Sequence, residues 1–584
     1  MKPLLSVLVL CIAAGWPMAA GWADSPRGSR PTGQTTAFQP VGFAQVVATA
    51  YAFMGPRTLD PIPFWQLTQW GLQGVTGLDP RFMVEVHGAD SKSAGLRLLL
   101  IASPGTPNPA VPKLLAAHPA PANDDPTGWG HASADMVRAI WDQSDLLRRV
   151  GGGFITGTFF DEMFGHIDPF SRYANPAEAA SERAQRNGRA GVGLGFTVRG
   201  GAFVVTEVQL GGPAAQAGVR VGDHLLSVDQ QSIQGADQQA LAALLAGPEH
   251  SQVSVSLRGS DGKPRSAVME RILLPPETVF ASKQDGILVL RIAAFAHNTA
   301  ARLAQELIQG VADAPAGPIT RPVPPSPPLT GIVVDLRGNR GGLLRQAVAA
   351  AAMLQPDGTV AITAGRDPEA AHDYRADGRD LAPGLPVVVL VDGGTASSAE
   401  ILAASLADQR RAVVVGSATF GKGLVQTLLD LPDGGELVLT WSRVLAPRRW
   451  PLQGLGVLPQ VCTSQGNEAL RRQMDALASG VQPMAAALAR HRAARPGIAP
   501  ADVVAIRAPC PATFGGAQGG RDTGLEAARR LLLDPIAFTA ALLPEPPPPS
   551  RLGVAANAGP VTPAGSGIAP VSPPRPTSVV RPPL

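Results

Sequence analysis

Ser397, Lys422 and Gln426 are the residues whose types and order could carry chemistry. A serine hydroxyl is a weak nucleophile until a base takes its proton. A lysine serves as that base when burial lowers its pKa enough to leave the amine neutral near working pH. Gln426 would orient the lysine by a hydrogen bond without adding charge. Ser397 falls where a strand should turn into a helix, beside backbone N–H groups that have no helical partner, and such donors can hold a developing oxyanion. Taken singly, Ser397 is an ordinary N-cap, Lys422 a surface lysine in a turn and Gln426 a plain strand residue. Their joint order is what favours acyl transfer.

The elements that must position these groups are legible around them. Val387–Val391 is a β-branched run long enough for one buried strand, and Gly393 and Gly394 turn the chain at its end. Ser397-Ser398-Ala399-Glu400 matches a capping box, and Ile401, Leu402 and Leu406 supply a helical apolar face. Residues 412–415 read as a second strand closed by Gly416, so strand, helix and strand with short links predict a parallel βαβ unit. Lys422 lies in Phe420-Gly421-Lys422-Gly423, before an extended segment from Gly423 to Leu428. The two-residue period puts Lys422, Leu424 and Gln426 on one face.

These segments resemble those of the C-terminal processing peptidases, or tail-specific proteases, a family of S41 serine peptidases that carry a PDZ domain. The family has an Asn-Gly-Gly-Ser-Ala-Ser-Ala-Ser-Glu-like segment followed by Gly-Lys-Gly-x-x-Gln. Ser397, Lys422 and Gln426 occupy the matching positions, while Asp392, Thr395, Ser398 and Ala399 replace commoner residues without removing a catalytic side chain. The resemblance implies a multidomain α/β protein: a ClpP/crotonase-like peptidase core, a β-rich PDZ domain and a mainly helical N-terminal region. Gly165 to Tyr173, with Asp168-Pro169-Phe170-Ser171, looks like the Leu-Asp-Pro-His-Ser-x-Tyr segment that precedes the PDZ domain in that family.

Gly193-Leu194-Gly195-Phe196 is similar to the Gly-Leu-Gly-Phe loop of PDZ domains, and Pro213 to Asp229 follows as in bacterial PDZ domains. N–H groups in such a loop can bind a terminal carboxylate, and the adjacent strand edge can accept a peptide as one more strand. Leu194, Phe196 and a helix near residues 238–245 would line the pocket for the last side chain. Asp335-Leu336-Arg337-Gly338-Asn339-Arg340-Gly341-Gly342 resembles the family segment that lies against the nucleophile. This nominates the N–H of Gly341 or Gly342, with that of Ser398, as oxyanion donors; the plainer account is that these glycines only permit a tight turn. Gln453 to Val461 resembles the segment that closes the catalytic domain, so the resemblance covers about residues 160–461.

The remainder of the chain frames this core. Lys2, the apolar residues 4–14 and the small residues at Gly21-Trp22-Ala23 read as a secretory signal peptide cleaved near Ala23, which predicts an exported, periplasmic protein with no membrane span in its mature chain. The 584 residues suit several domains: signal 1–23, a mainly helical region 24–189, PDZ 190–275, peptidase core 276–461 with a Pro-rich insert 312–330, a partly helical extension 462–543 and a disordered Pro-rich tail 544–584. Within the helical region, 43–53, 64–77 and 134–164 have helical spacing, and the Pro- and Ala-rich residues 103–133 read as a loop or insertion.

With 49 basic and 46 acidic residues the formal net charge is +3 and no basic stripe appears, so nucleic acid is excluded as a partner. Once Cys11 leaves with the signal, Cys462 and Cys510 can form a disulfide in an oxidising compartment. No cofactor or metal is expected: the nine His are scattered, His-Glu-x-x-His is absent and the cysteine pair lacks metal-ligand spacing. No Gly-x-Ser-x-Gly surrounds a candidate serine, which disfavours a Ser-His-Asp enzyme. The expected substrates are proteins or peptides with unstructured apolar C-termini, and an adaptor or a second copy of the chain stays open as a partner. Two alternatives remain: an inactive PDZ-bearing scaffold or adaptor, and an acyl-CoA enzyme of the crotonase-like fold, which the PDZ unit and the export signal disfavour.

Overall fold

The structure, a computed structural model, describes residues 37–88, 94–101, 112–209, 211–259, 261–311, 329–378, 380–515 and 522–545. The signal peptide read at 1–23, nearly all of the Pro-rich insert and nearly all of the C-terminal tail lie outside the described residues.

The N-terminal region packs helices α1 (Pro40–Arg57) and α2 (Phe64–Gly77) with later helices around an aromatic core that includes Phe43, Tyr51, Trp129, Phe159 and Phe160. Two expectations need correction here. An antiparallel sheet, β1 (Phe82–His87), β2 (Gly95–Leu100) and β3 (Lys113–His118), stands between α2 and the next helix, so the stretch 103–133 is not only a loop. In β1 Phe82, Val84 and Val86 are buried and their neighbours are not, a two-residue alternation that marks a half-buried strand. The apolar run 134–164 is not one helix but parts of three, α3 (Pro126–Gln143), α4 (Asp145–Val150) and α5 (Gly152–Gly165). The breaks have local causes: the Ser144 hydroxyl caps α4 by accepting from Leu147 N–H at 3.3 Å, and Gly151 has φ 85°. The short strand β4 (Arg172–Ala174) and helix α6 (Pro176–Asn187) lead to the next domain.

That domain opens with β5 (Arg189–Gly191). It contains β6 (Leu194–Arg199), β7 (Ala202–Val208), α7 (Pro213–Gln216), β8 (His224–Val228), β9 (Gln231–Ser232), α8 (Gln238–Leu245), β10 (Gln252–Arg258) and β11 (Pro264–Glu270), and it closes with β12 (Ile272–Leu274). Its sheet runs β11-β10-β8-β7-β6, so β6, which begins at Leu194, is an edge strand. Strands β5 and β12 pair with each other, so the domain's entrance and exit lie side by side.

The domain that follows, expected from the sequence to be the peptidase core, is built on a six-stranded sheet. Its elements begin with β13 (Val279–Gln284), β14 (Ile287–Ile292), α9 (Thr299–Val311), β15 (Gly331–Asp335), α10 (Leu344–Ala352), β16 (Thr359–Gly365) and β17 (His372–Arg375). They continue with β18 (Val387–Val391), α11 (Ser398–Asp408), β19 (Ala412–Gly416), β20 (Leu424–Asp430), β21 (Glu436–Leu445) and β22 (Val461–Cys462). The order is β13-β14-β15-β18-β19-β22, parallel from β14 to β22, and β18, α11 and β19 form the expected βαβ unit. A second sheet, β17-β16-β21-β20, also takes up β4 from the N-terminal region.

A parallel sheet must be covered on both faces, and the chain does this with two sets of helices. Val387, Val389 and Val391 share one core with residues of α9, α10 and α11. Val388 and Leu390 face a second core made by α12 (Asn467–Ala478), α15 (Thr523–Leu533) and α16 (Pro535–Ala541); between them in sequence come α13 (Ala485–Ala493) and α14 (Pro500–Arg507). Residues 462–543 are therefore not an appendage to a core that ends at 461. Helices α12, α15 and α16 form its second layer, while Leu488 of α13 and Ile506 of α14 join the first core.

Candidate active site

The turn between β18 and α11 is bound to the turn after β15. Asp392 Oδ1 accepts the N–H groups of Gly338 and Gly394, each at 2.9 Å. The Thr395 hydroxyl donates to the Leu336 carbonyl at 2.9 Å, and Ala396 N–H donates to the Asn339 carbonyl at 2.9 Å. Ser397 follows with φ 56° and ψ −120°. A non-glycine residue held there costs about 1–3 kcal/mol, and such strain collects at functional sites. Ser397 is half-buried at the head of the helix, next to Gly341, where an added Cβ would lie 2.8 Å from the Ser397 Cβ.

Glu400, read from the sequence only as part of a capping box, does much more. It is fully buried. Oε2 accepts from the backbone N–H of Ser397 at 2.8 Å and from that of Lys422 at 2.9 Å. Oε1 accepts from Gly421 N–H at 2.7 Å and from the Thr419 hydroxyl. Burial pushes the carboxyl up from its ordinary range, and these four donors oppose that shift by favouring the anion. No local sequence pattern signals this role, because the bonds to Gly421 and Lys422 join segments more than twenty residues apart.

Lys422 sits just before β20, half-buried, with Nζ 4.9 Å from the centre of the Phe170 ring. Burial lowers its pKa to about 8; the neighbouring Arg172 pushes the same way, while Asp168 and Glu400 oppose. The amine is therefore accessible in its neutral form close to physiological pH. The segment that supplies Phe170 is anchored on the strand opposite Gln426. Thr440 N–H donates to Ser171 Oγ at 2.9 Å, and the Thr440 hydroxyl donates to Asp168 Oδ1 at 2.9 Å. The same hydroxyl accepts from Gln426 Nε2 at 3.1 Å, and that amide nitrogen also lies 3.3 Å from the Leu424 carbonyl. The register skip beside Gln426 falls on β21, at Trp441, so the alternation along β20 is preserved.

The nominated oxyanion donors are not equivalent. Gly341 N–H donates to Asn339 Oδ1 at 2.8 Å, and the buried Asn339 donates in turn to the Ile292 carbonyl at 2.8 Å. Among the described residues, the N–H groups of Gly342 and Ser398 make no comparable bond, and the Ser398 hydroxyl ties the two loops by donating to the Gly342 carbonyl at 2.8 Å.

Away from this site, Gly193 has φ 76° and its carbonyl accepts from Gln209 N–H at 3.0 Å, which turns the chain into β6 through Gly195. Leu194 and Phe196 pack half-buried against the core that contains Leu241 and Leu245 of α8. Cys462 and Cys510 are joined as a disulfide with Cα atoms 5.7 Å apart. Among the described residues no group of three or more His, Cys, Asp or Glu side chains could hold a metal ion, and no helix is long and apolar enough to cross a membrane.

Two family models match the chain: peptidase family S41 over residues 286–463 and a PDZ domain over residues 204–259. The chain is 34% identical over 320 residues to a chloroplastic C-terminal processing peptidase of Tetradesmus obliquus, which covers 50% of this chain and 64% of that one. It is 31% identical over 305 residues to a carboxy-terminal-processing protease of Bartonella bacilliformis, covering 52% of this chain and 68% of that one. Among solved structures, a photosystem II D1 C-terminal processing protease matches with a TM-score of 0.31 and 29% identity, over 59% of this chain and 91% of that chain. The chain thus spans just under two thirds of the algal relative and slightly more of the bacterial one. With the S41 core around Ser397 and a PDZ domain before it, the chain belongs to the carboxy-terminal-processing protease family of S41 serine peptidases.

Proposed function

We propose that this protein is an exported endopeptidase that captures unstructured, apolar C-terminal tails in its PDZ domain and cleaves the bound protein with a Ser397/Lys422 dyad. The observation that carries this reading is the convergence of the Ser397 and Lys422 amides on one oxygen of Glu400, beside a lysine amine whose pKa burial has lowered to about 8. Lys422 Nζ takes the Ser397 hydroxyl proton as Oγ attacks the scissile carbonyl, and the resulting ammonium protonates the departing amine. Water then hydrolyses the acyl-enzyme, with Lys422 again as base. Because the Gly341 N–H is engaged by Asn339, the oxyanion is assigned to the N–H groups of Ser398 and Gly342. Gln426, whose amide nitrogen is held by Thr440, is assigned to Lys422 through its amide oxygen.

Tail capture is supported by the open edge of β6 and by the apolar Leu194 and Phe196 upon it, which suit addition of a peptide strand. Export is supported by the sequence of residues 1–23 and is tested by the N-terminal residue of protein recovered from the periplasm. The decisive experiment compares wild type, Ser397→Ala and Lys422→Ala on one unstructured substrate with and without an apolar tail. Cleavage by wild type alone, faster with the tail, supports the reading. Binding of the tail without cleavage by wild type would instead identify an adaptor.

A further inference from the structure

The loop that enters Ser397 and the loop that enters Lys422 are both gripped by one segment, residues 507–515, which starts at the last residue of α14 and lies beyond the S41 match ending at residue 463. On the nucleophile side, the Thr513 carbonyl accepts from Gly393 N–H at 2.7 Å, and Gly515 N–H donates to Asp392 Oδ2 at 3.3 Å. On the lysine side, Thr513 N–H donates to Ser417 Oγ at 3.0 Å. Arg507 donates to the Thr419 carbonyl at 2.6 Å through Nη2 and to the Leu455 carbonyl at 2.5 Å through Nη1. Thr419 is the residue whose hydroxyl donates to Glu400. In the middle of the segment, Cys510 is bonded to Cys462 at the end of β22, and both are fully buried.

The two loops leave the paired strands β18 and β19 and are tied to each other by the Phe420 N–H donating to the Thr395 carbonyl at 3.0 Å and by their shared bonds to Glu400; residues 507–515 add a further tie from outside the pair. Proton transfer between a hydroxyl and an amine is sensitive to displacements on the order of 1 Å. A segment that bonds both loops, and is itself stapled to the end of the sheet, limits such displacement.

We propose that residues 507–515 are a positioning strap for the catalytic pair, with Arg507 and the backbone of Thr513 as its contacts and the Cys462–Cys510 disulfide as its anchor. The proposal rests on Ser397 and Lys422 acting as nucleophile and base. If the strap merely stabilised the fold, loosening it would lower the melting temperature and leave the chemistry of the folded enzyme alone. A positioning strap predicts more: loosening the Thr419 loop admits water to Lys422, whose pKa then rises towards that of a free lysine.

The test uses the full chain and an unstructured protein substrate ending in an apolar tail. Arg507→Met, Arg507→Lys, Ser417→Ala and the double variant Cys462→Ser/Cys510→Ser are compared with wild type in kcat, KM, pH profile and melting temperature. Arg507→Met is expected to lower kcat at least about tenfold with KM within about twofold. The acid limb of its kcat/KM profile moves to higher pH, and Arg507→Lys restores part of both. Ser417→Ala and the double cysteine variant shift the same two quantities in the same direction. Should the cysteine variant fail to fold, Arg507→Met and Ser417→Ala decide. Wild-type kcat and an unmoved acid limb in the folded variants would overturn the strap, as would a loss of activity that follows melting temperature alone. Lys422→Ala is the control: turnover by it would refute the dyad itself, whereas an inactive Lys422→Ala beside a fully active Arg507→Met refutes only the strap.

Discussion

The backbone amides of Ser397 and Lys422 point at the same atom, Glu400 Oε2, at 2.8 and 2.9 Å. The proposed nucleophile and base are thus registered through their main chains, by a carboxylate that touches neither reacting group. Glu400→Gln keeps the shape but turns one acceptor into a donor facing N–H or O–H groups. Leaving buried donors unpaired costs roughly 1–3 kcal/mol each. The expected outcome is a lower melting temperature and a fall in kcat of about 10²-fold, from misplacement of the pair. Thermal melts and steady-state kinetics on one preparation check both.

The pH profile follows from Lys422. A base must be neutral to act, so kcat/KM should rise with pH to a plateau above an inflection at about 8. Phe170→Ala removes apolar cover from Nζ. Burial penalises the charged form, so wetting the amine raises its pKa and moves the inflection upward, with activity lost near neutrality and regained at alkaline pH. An unmoved inflection would mean that Phe170 does not shield the amine.

Lys422→Met should abolish turnover without lowering stability near pH 7. The folded pKa is depressed, so below pH 8 the native state carries a protonated, partly buried amine at a cost on the order of 3 kcal/mol. That cost fades as pH rises from about 8 towards the ordinary lysine value, and the wild type should gain stability over the same window. Denaturant titrations of both proteins at pH 7 and pH 10 measure the difference.

Gly341 has φ 98°, and an added Cβ would come within 2.8 Å of the Ser397 Cβ and 2.9 Å of the Ala396 carbonyl oxygen. Gly341→Ala is expected to push the nucleophile out of place, lowering kcat by about 10²-fold at a stability cost of about 1–3 kcal/mol. At Gly342 an added Cβ would meet the Phe295 carbonyl oxygen at 2.2 Å, so Gly342→Ala should impair folding itself. Soluble yield and melting curves separate the two.

Thr440 is buried and links Gln426 to Asp168 through its hydroxyl. Thr440→Val keeps the volume and removes that link. We expect a loss of about 1–3 kcal/mol in stability from the unpaired partners, together with lower kcat. The KM for tailed substrates should not change, since the PDZ domain is untouched.

Local pattern was enough for much of this protein. The run Val387–Val391, the turn glycines and the helical spacing after Ser397 specify a βαβ unit because strand and helix periods are short-range properties. The order of Ser397, Lys422 and Gln426 along the chain was likewise readable, as was the glycine loop that opens β6. Contacts between distant segments were not. Nothing local tells that Glu400 receives the amides of Gly421 and Lys422, that Asn339 takes the Gly341 N–H, or that Asp168 reaches Thr440. The strands at 82–118 were hidden for a different reason: short alternating runs interrupted by Pro and Ala look like loop until sheet partners are found. That α12, α15 and α16 cover one face of the sheet was not readable, because an amphipathic helix does not state which face of which sheet it covers. Sequence set the chemical groups and the elements that carry them, since both are written in neighbouring residues; folding decided which of those groups are buried and which bond each other, since burial and hydrogen-bond partnership exist only between segments brought together in space.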